Sequence, residues 1–146
     1  MILFRKKPDL IIRRDDLKKN KFKIGLVATM GALHKGHMSL VKRSLKENDY
    51  TIVSIFINPT QFNDKKDLIS YPTNLTKDCN YLDSVSKDII VFAPEISEIY
   101  DENLSIKEFN FQGLDKFMEG QHRKGHFNGV ATIVSHLLEI IKPNNA

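Results

Sequence analysis

The sequence has 146 residues, 41% hydrophobic and 27% charged, the balance of one ordinary water-soluble domain with a real core. No apolar run approaches the ~20 residues of a membrane-spanning helix, and the apolar part of the N-terminus is too short for a secretory signal, so a cytoplasmic protein is expected. Its single cysteine, Cys79, excludes an internal disulfide and a thiolate metal cluster, while the net charge of +4 suits anionic ligands without selecting one.

In chain order, residues 9–19 have helical character and end in polar Lys18-Lys19-Asn20-Lys21. Residues 23–28, Lys23-Ile24-Gly25-Leu26-Val27-Ala28, are a short apolar run rich in branched residues and predict the first buried strand. Residues 29–33 have turn character. Met38, Val41 and Leu45 then recur at i, i+3 and i+7, which predicts an amphipathic helix from about His34 or Gly36 to Asn48. Residues 50–57 form a continuous apolar strand. Asn58-Pro59 stops it, and a polar loop runs from Gln61 to Pro72.

Leu75, Cys79 and Leu82 mark the next helix. Cys79 reads there as a small core residue, because nothing near it in sequence lowers a thiol pKa. Residues 88–93 are a third strand, punctuated by Pro94. Residues 95–120 predict a short helical turn, a strand at 105–111 and a loop. Phe127, Val130, Val134, Leu137 and Ile141 predict a long amphipathic helix stopped by Pro143. The basic residues are scattered, and most sit beside acids such as Asp15-Asp16, Asp64 and Asp67. They read as solvated faces, and no nucleic-acid or membrane partner is expected.

Alternating strands and helices with uninterrupted apolar strands predict an α/β fold, a parallel sheet flanked by helices on both faces. One domain covers residues 1–146. Because a helix of such a sheet is usually followed by another strand, a chain ending at Lys142-Pro143-Asn144-Asn145-Ala146 reads as unfinished. Ligands of these sheets bind beyond the carboxyl ends of the strands, which directs attention to residues 29–37 and 58–62.

The first of these loops contains Gly31 and Gly36, which let backbone approach a ligand, and it opens a helix whose free N–H groups favour an anion. His34 and His37 fall on one face of the first turn, where imidazoles can donate to phosphate oxygens. An ATP phosphate fits this arrangement. A metal pair is the alternative, although no third ligand is evident and no metal residue is assigned; one ring packed in the core is another. The second loop offers the amides of Asn58 and Gln61, which suit a hydroxyl beside a carboxylate. A third segment places His122, Arg123, Lys124 and His126 ahead of the last helix, equally readable as a hinge or as ligand groups.

Three motifs carry a family resemblance. Ala28-Thr29-Met30-Gly31-Ala32-Leu33-His34-Lys35-Gly36-His37 contains the His-x-Gly-His signature of the nucleotidyltransferase superfamily. Ser54-Ile55-Phe56-Ile57-Asn58-Pro59-Thr60-Gln61-Phe62 and Glu119-Gly120-Gln121-His122-Arg123-Lys124-Gly125-His126-Phe127-Asn128-Gly129-Val130 complete a set that resembles the pantothenate synthetases (pantoate–β-alanine ligases). Ala28 and Lys124 stand where that pattern has Pro, and Thr73 stands where it has Arg. The family's following Gly-x-Lys-Asp-x-Gln-Gln segment and C-terminal domain are not in this chain.

The resemblance implies a Rossmann-like nucleotidyltransferase domain. It implies condensation of pantoate with β-alanine through a pantoyl-adenylate, with ATP as substrate and Mg2+ travelling with it. His34 and His37 would be catalytic, and Met30, Gly31, Ala32, Leu33, Lys35 and Gly36 would shape the ATP site with them. Gln61, Asn58, Met30, Val130, Ile133 and Val134 would hold pantoate and β-alanine. A homodimer joined by the edge of the second predicted strand is implied too. The chain alone is expected to be inactive, with one side of the sheet and the last helix uncovered. A different adenylylating enzyme, or a non-catalytic module on this fold, are the competing readings.

Overall fold

The computed structural model describes residues 1–62, 64–100, 104–117, 119–123 and 125–146, apart from the side chains of Lys65, Glu119 and Gln121. The branched apolar runs form the strands. β2 (Ile24–Thr29) pairs in parallel with β3 (Tyr50–Ile55) over six positions, from Ile24 opposite Tyr50 to Thr29 opposite Ile55. β3 pairs with β4 (Ile90–Phe92), and β4 with β1 (Ile2–Phe4), so the sheet is parallel throughout in the order β1-β4-β3-β2. β1 is absent from the sequence-based reading. Three partly exposed residues at a sheet edge are too few to show a period.

Helices cover both faces. α1 (Lys7–Lys19) and α7 (His126–Ile141) supply Leu10, Leu17, Ile133, Leu137, Ile140 and Ile141 to one core, where they meet Ile24, Leu26, Ile52, Ile90 and Phe92 of the strands. α2 (Lys35–Glu47) and α4 (Leu75–Asp83) bring Met38, Val41, Cys79 and Leu82 to the other face, against Val27, Val53 and Val91. Consecutive strand residues such as Ile52 and Val53 thus enter opposite cores, which is why these strands read as unbroken apolar runs. Each such side chain stabilises the fold by roughly 1.5–3 kcal/mol on leaving water. Cys79 is a buried free thiol whose pKa burial pushes up, so its place is in the core.

Three expectations are corrected. The polar loop after Gln61 contains a helix, α3 (Lys65–Ser70), whose first turn is capped by the Asp64 carboxylate accepting from Lys66 N–H at 2.8 Å. No strand forms at 105–111. There the N–H groups of Lys107 and Phe109 donate at 2.9 Å to Thr132 Oγ1 and Asn128 Oδ1 of α7, so side chains take the place of a neighbouring strand. Nor is one side of the sheet bare, although Val134 and Leu138 on the outer face of α7 are 37% and 40% exposed. The expected helical turn is α5 (Ile96–Ile99), and a further short helix, α6 (Glu119–His122), precedes α7.

β3 lies between β2 and β4, with ladder bonds on both sides. Assembly through the edge of that strand is therefore overturned. The free side of β2 meets the segment after α7: Asn144 N–H donates to Ile24 O at 2.7 Å, and Leu26 N–H to Asn145 O at 2.9 Å. The chain thus leaves β2 toward β3 on one side and returns to it on the other. The carboxyl end of β2 is the place where such a sheet opens a crevice. Among the described residues, no helix is long and apolar enough to cross a membrane.

Candidate functional site

The loop leaving β2 turns through two left-handed residues, Gly31 at φ +87° and Ala32 at φ +50°. Ala32 carries a Cβ, so this conformation costs about 1 kcal/mol and needs external support. The support is Asp78 of α4, only 4% exposed, whose two carboxylate oxygens accept from Ala32 N–H at 3.0 Å and Leu33 N–H at 2.8 Å. From the other side Thr29 Oγ1 accepts from Gly31 N–H at 3.2 Å and donates to Ser54 O at 2.8 Å.

Sequence reading passed over Asp78, yet a signal was there. Leu75, Asp78, Cys79 and Leu82 share one helical face, and an acid on an apolar stripe needs a partner. Asp78→Ala would leave two N–H groups without acceptors. It is expected to destabilise the chain by about 2–3 kcal/mol in urea unfolding, with Asp78→Asn intermediate. A midpoint unchanged by Asp78→Ala would show that the loop holds itself.

His34 is the N-cap of α2. Its Nδ1 accepts from Gly36 N–H at 3.1 Å, while His37 Nδ1 accepts from His34 N–H at 3.4 Å. The rings lie 4.0 Å apart between centroids. With both Nδ1 atoms used as acceptors, each neutral ring carries its proton on Nε2 and offers it outward as a donor. Burial, and then the neighbouring His34, lower the His37 pKa against an opposing pull from Asp78. That ring therefore favours the neutral form. Lys35 and Gly36 are exposed at the start of the same helix. Among the described residues, no group of three or more His, Cys, Asp or Glu could hold a metal ion.

The second loop has a different internal logic. Asn58 is 0% exposed. Its Oδ1 accepts from Tyr100 Oη–H at 2.7 Å and Thr60 Oγ1–H at 2.9 Å, and its Nδ2 donates to Gln61 Oε1 at 3.1 Å and Gly129 O at 3.0 Å. Both side-chain polar atoms of Asn58 are engaged inside the protein. Gln61 Nε2 reaches Met30 Sδ at 3.0 Å, which joins the two loops. The third segment holds the same residue by its backbone: Gln61 O accepts from His126 Nδ1 at 2.8 Å and from the Arg123 guanidinium at 3.3 Å. His126 and Arg123 thus position Gln61. His122 is exposed, and Lys124 lies outside the described residues.

A cleft of about 1160 Å³ opens at the carboxyl ends of β2, β3 and β4. Of the residues singled out from sequence, Met30 and Gly31 line it, whereas His34, His37, Asn58, Gln61, Val130, Ile133 and Val134 do not. Ile133 is packed in the core, Val130 is half-buried and Val134 is exposed. The three apolar positions of α7 therefore do not form one wall. Sequence reading missed Arg5 and Tyr100 on the cleft, because each is brought there by an element distant in the chain. Thr73, where the family pattern has Arg, also lines it.

A parallel sheet with a glycine turn, paired imidazoles at the following helix start and a crevice at the strand ends defines a nucleotidyltransferase-type α/β domain. The pantoate-beta-alanine ligase family model matches residues 3–146. The chain belongs to that family.

Among its relatives, the pantothenate synthetase of Christiangramia forsetii is 50% identical over 146 residues, covering 100% of this chain and 52% of that protein. The one from Azobacteroides pseudotrichonymphae is 53% identical over 130 residues, 89% of this chain and 46% of its own length. The crystal structure of pantoate-beta-alanine ligase from Francisella tularensis, complexed with beta-gamma ATP and beta-alanine, superposes with a TM-score of 0.90 at 43% identity. It is covered over 55% of its length by 99% of this chain. Pantothenate synthetase from Thermus thermophilus gives 0.86 at 34% identity, over 98% of this chain and 50% of its own. The chain spans about half the length of the curated relatives it matches.

Proposed function

We propose that this chain provides the nucleotide- and pantoate-binding part of an ATP-dependent condensation of pantoate with β-alanine. The observation that carries the reading is the meeting of the two loops. The Nε2–H donors of His34 and His37 open α2, while Gln61 and Met30 touch at the other side of the same loop. A phosphate at the start of α2 would be met by donors, and a hydroxy acid beside Gln61 would be met by an amide N–H.

In the first step the pantoate carboxylate attacks the α-phosphorus of ATP and pyrophosphate leaves. In the second, the amine of β-alanine attacks the acyl carbon of the adenylate and AMP leaves. His34 and His37 stabilise charge on the phosphates, Gln61 orients the pantoate carboxylate, and the Asp78 clamp holds the loop between them. The ATP- and β-alanine-bound Francisella tularensis relative supports both substrates. Mg2+ would be held chiefly by the phosphates. Asp78, a carboxylate that touches the loop, is already committed to two backbone N–H groups.

Calorimetric titration tests the reading. Pantoate is expected to bind the chain, and Gln61→Ala to weaken that binding about tenfold or more, the scale of one hydrogen bond to a charged group. The same preparation, given all three substrates, is expected to make no pantothenate, because it spans half of its relatives. Equal pantoate binding by the Ala variant would remove Gln61 from the site, and measurable turnover would overturn the claim of inactivity.

A further inference from the structure

Amide side chains have two unlike ends, and the end a buried Gln presents depends on what fixes the other. In this structure that choice is traceable atom by atom. The carbonyl of Gly129 can only accept, so the Asn58 atom facing it at 3.0 Å must be Nδ2. Asn58 Oδ1 then faces Tyr100 and Thr60, whose hydroxyls donate to it at 2.7 and 2.9 Å. The second proton of Asn58 Nδ2 points at Gln61 at 3.1 Å and requires an acceptor there, which fixes Oε1 inward. Gln61 Nε2 is left facing Met30, whose sulfur is a weak acceptor on the wall of the cleft.

We infer that Tyr100 is a positioning residue: donating to Asn58 Oδ1, its hydroxyl reinforces the Asn58 orientation set by Gly129 O and so the polarity of the Gln61 amide, and the site offers an N–H donor that selects an acceptor. This deepens the reading given under Proposed function and rests on it for the identity of the ligand, a hydroxy acid held by its carboxylate. Tyr100 is 6% exposed, and its ring is wedged between Phe56 and His136, with centroids 6.3 and 5.4 Å away. Its hydroxyl also lies 3.2 Å from Thr60 Oγ1, so Tyr100, Thr60 and Asn58 form one cluster. Burial raises its pKa, so the hydroxyl keeps the proton it donates. Without that donor, Asn58 Oδ1 retains Thr60 alone, and the energy separating the two amide orientations narrows.

The experiment uses Tyr100→Phe, which keeps the ring, and Asn58→Asp, which turns a donor into an acceptor facing Gln61. Two readouts are taken on the chain: exchange of the Asn58 side-chain NH2 protons with solvent, by NMR without ligand, and pantoate and Mg-ATP affinities by calorimetry. Tyr100→Phe is expected to speed Asn58 amide exchange about tenfold and weaken pantoate by a similar factor, with Mg-ATP affinity unchanged. Asn58→Asp is expected to weaken pantoate about a hundredfold, because Gln61 then turns its oxygen outward. Wild-type pantoate affinity in Tyr100→Phe would overturn the inference. Should the unmodified chain bind no pantoate, the hydroxy-acid reading fails. The positioning role is then decided by exchange alone, and unaltered Asn58 exchange in Tyr100→Phe overturns it.

Discussion

His37→Ala is expected to lower the rate of pantothenate formation by ~10²–10³, the usual result of deleting one donor that acts on transition-state charge. The assay would use the 146 residues fused to the remaining half of the Christiangramia forsetii relative, beside an unsubstituted fusion. The expectation rests on how the imidazole is held. Its Nδ1 is occupied by His34 N–H, so Nε2–H is the end available to phosphate, and its lowered pKa keeps that donor neutral. A neutral donor steadies developing charge without gripping pyrophosphate as a lysine would. Part of any loss would be structural, since the same Nδ1 belongs to the reciprocal cap at the start of α2, worth about 1 kcal/mol. His37→Gln, which keeps a side-chain donor, should therefore recover part of the rate. A loss below threefold in His37→Ala would remove His37 from the catalysts.

Gly129→Ala is expected to destabilise the chain by about 3 kcal/mol and to abolish pantoate binding. A Cβ at Gly129 would lie 2.3 Å from Thr60 O and 2.9 Å from Gln61 Cα, in the backbone of the 3-10 turn Pro59–Gln61. Neither atom can swing away as a side-chain tip could, so α7 and the turn must separate. Separation breaks the bond from Asn58 Nδ2 to Gly129 O, on which the orientation of Gln61 depends. Gly125→Ala is the control. Gly125 has φ +81° but nothing within 4 Å of an added Cβ, so it should cost only about 1 kcal/mol of backbone strain. Equal losses in urea unfolding would mean that close packing at Gly129 is not what the glycine serves.

The parts of this fold that could be read from sequence are those whose physics is local. β2, β3 and β4 announce themselves because both sides of each strand are buried, and α2 and α7 because each has one apolar stripe. β1 is too short to show a pattern, and α3 depends on the Asp64 cap within an otherwise polar stretch. The segment near Lys107 has alternation enough for a strand, but α7 side chains take its N–H groups.

In the candidate site, His34, His37 and Gln61 were legible from motifs. The partners that orient them were not: Asp78 reaches Ala32 across 46 positions, and Tyr100 reaches Asn58 across 42. The Asn58 amide, expected to help Gln61 hold a ligand, has both side-chain polar atoms bonded within the protein, one of them to Gln61.

The sheet order also sets a timetable. β1 precedes β2, β3 and β4 in the chain, yet it sits at the far edge, and Ile2 finds its ladder partner only at Ile90. Closing so long a span costs chain entropy before any contact repays it, so β1 should be seated late, after β2 and β3 have paired. Ala93 N–H donates to Phe4 O at 2.9 Å and reports the event. In pulse-labelled refolding that amide should gain protection after the amides of Ile52 and Val53. Simultaneous protection would mean that the whole sheet condenses in one step. Until β1 is seated, the outer edge of β4 stands open, and for that interval the refolding chain is most exposed to pairing with a neighbour instead of with itself.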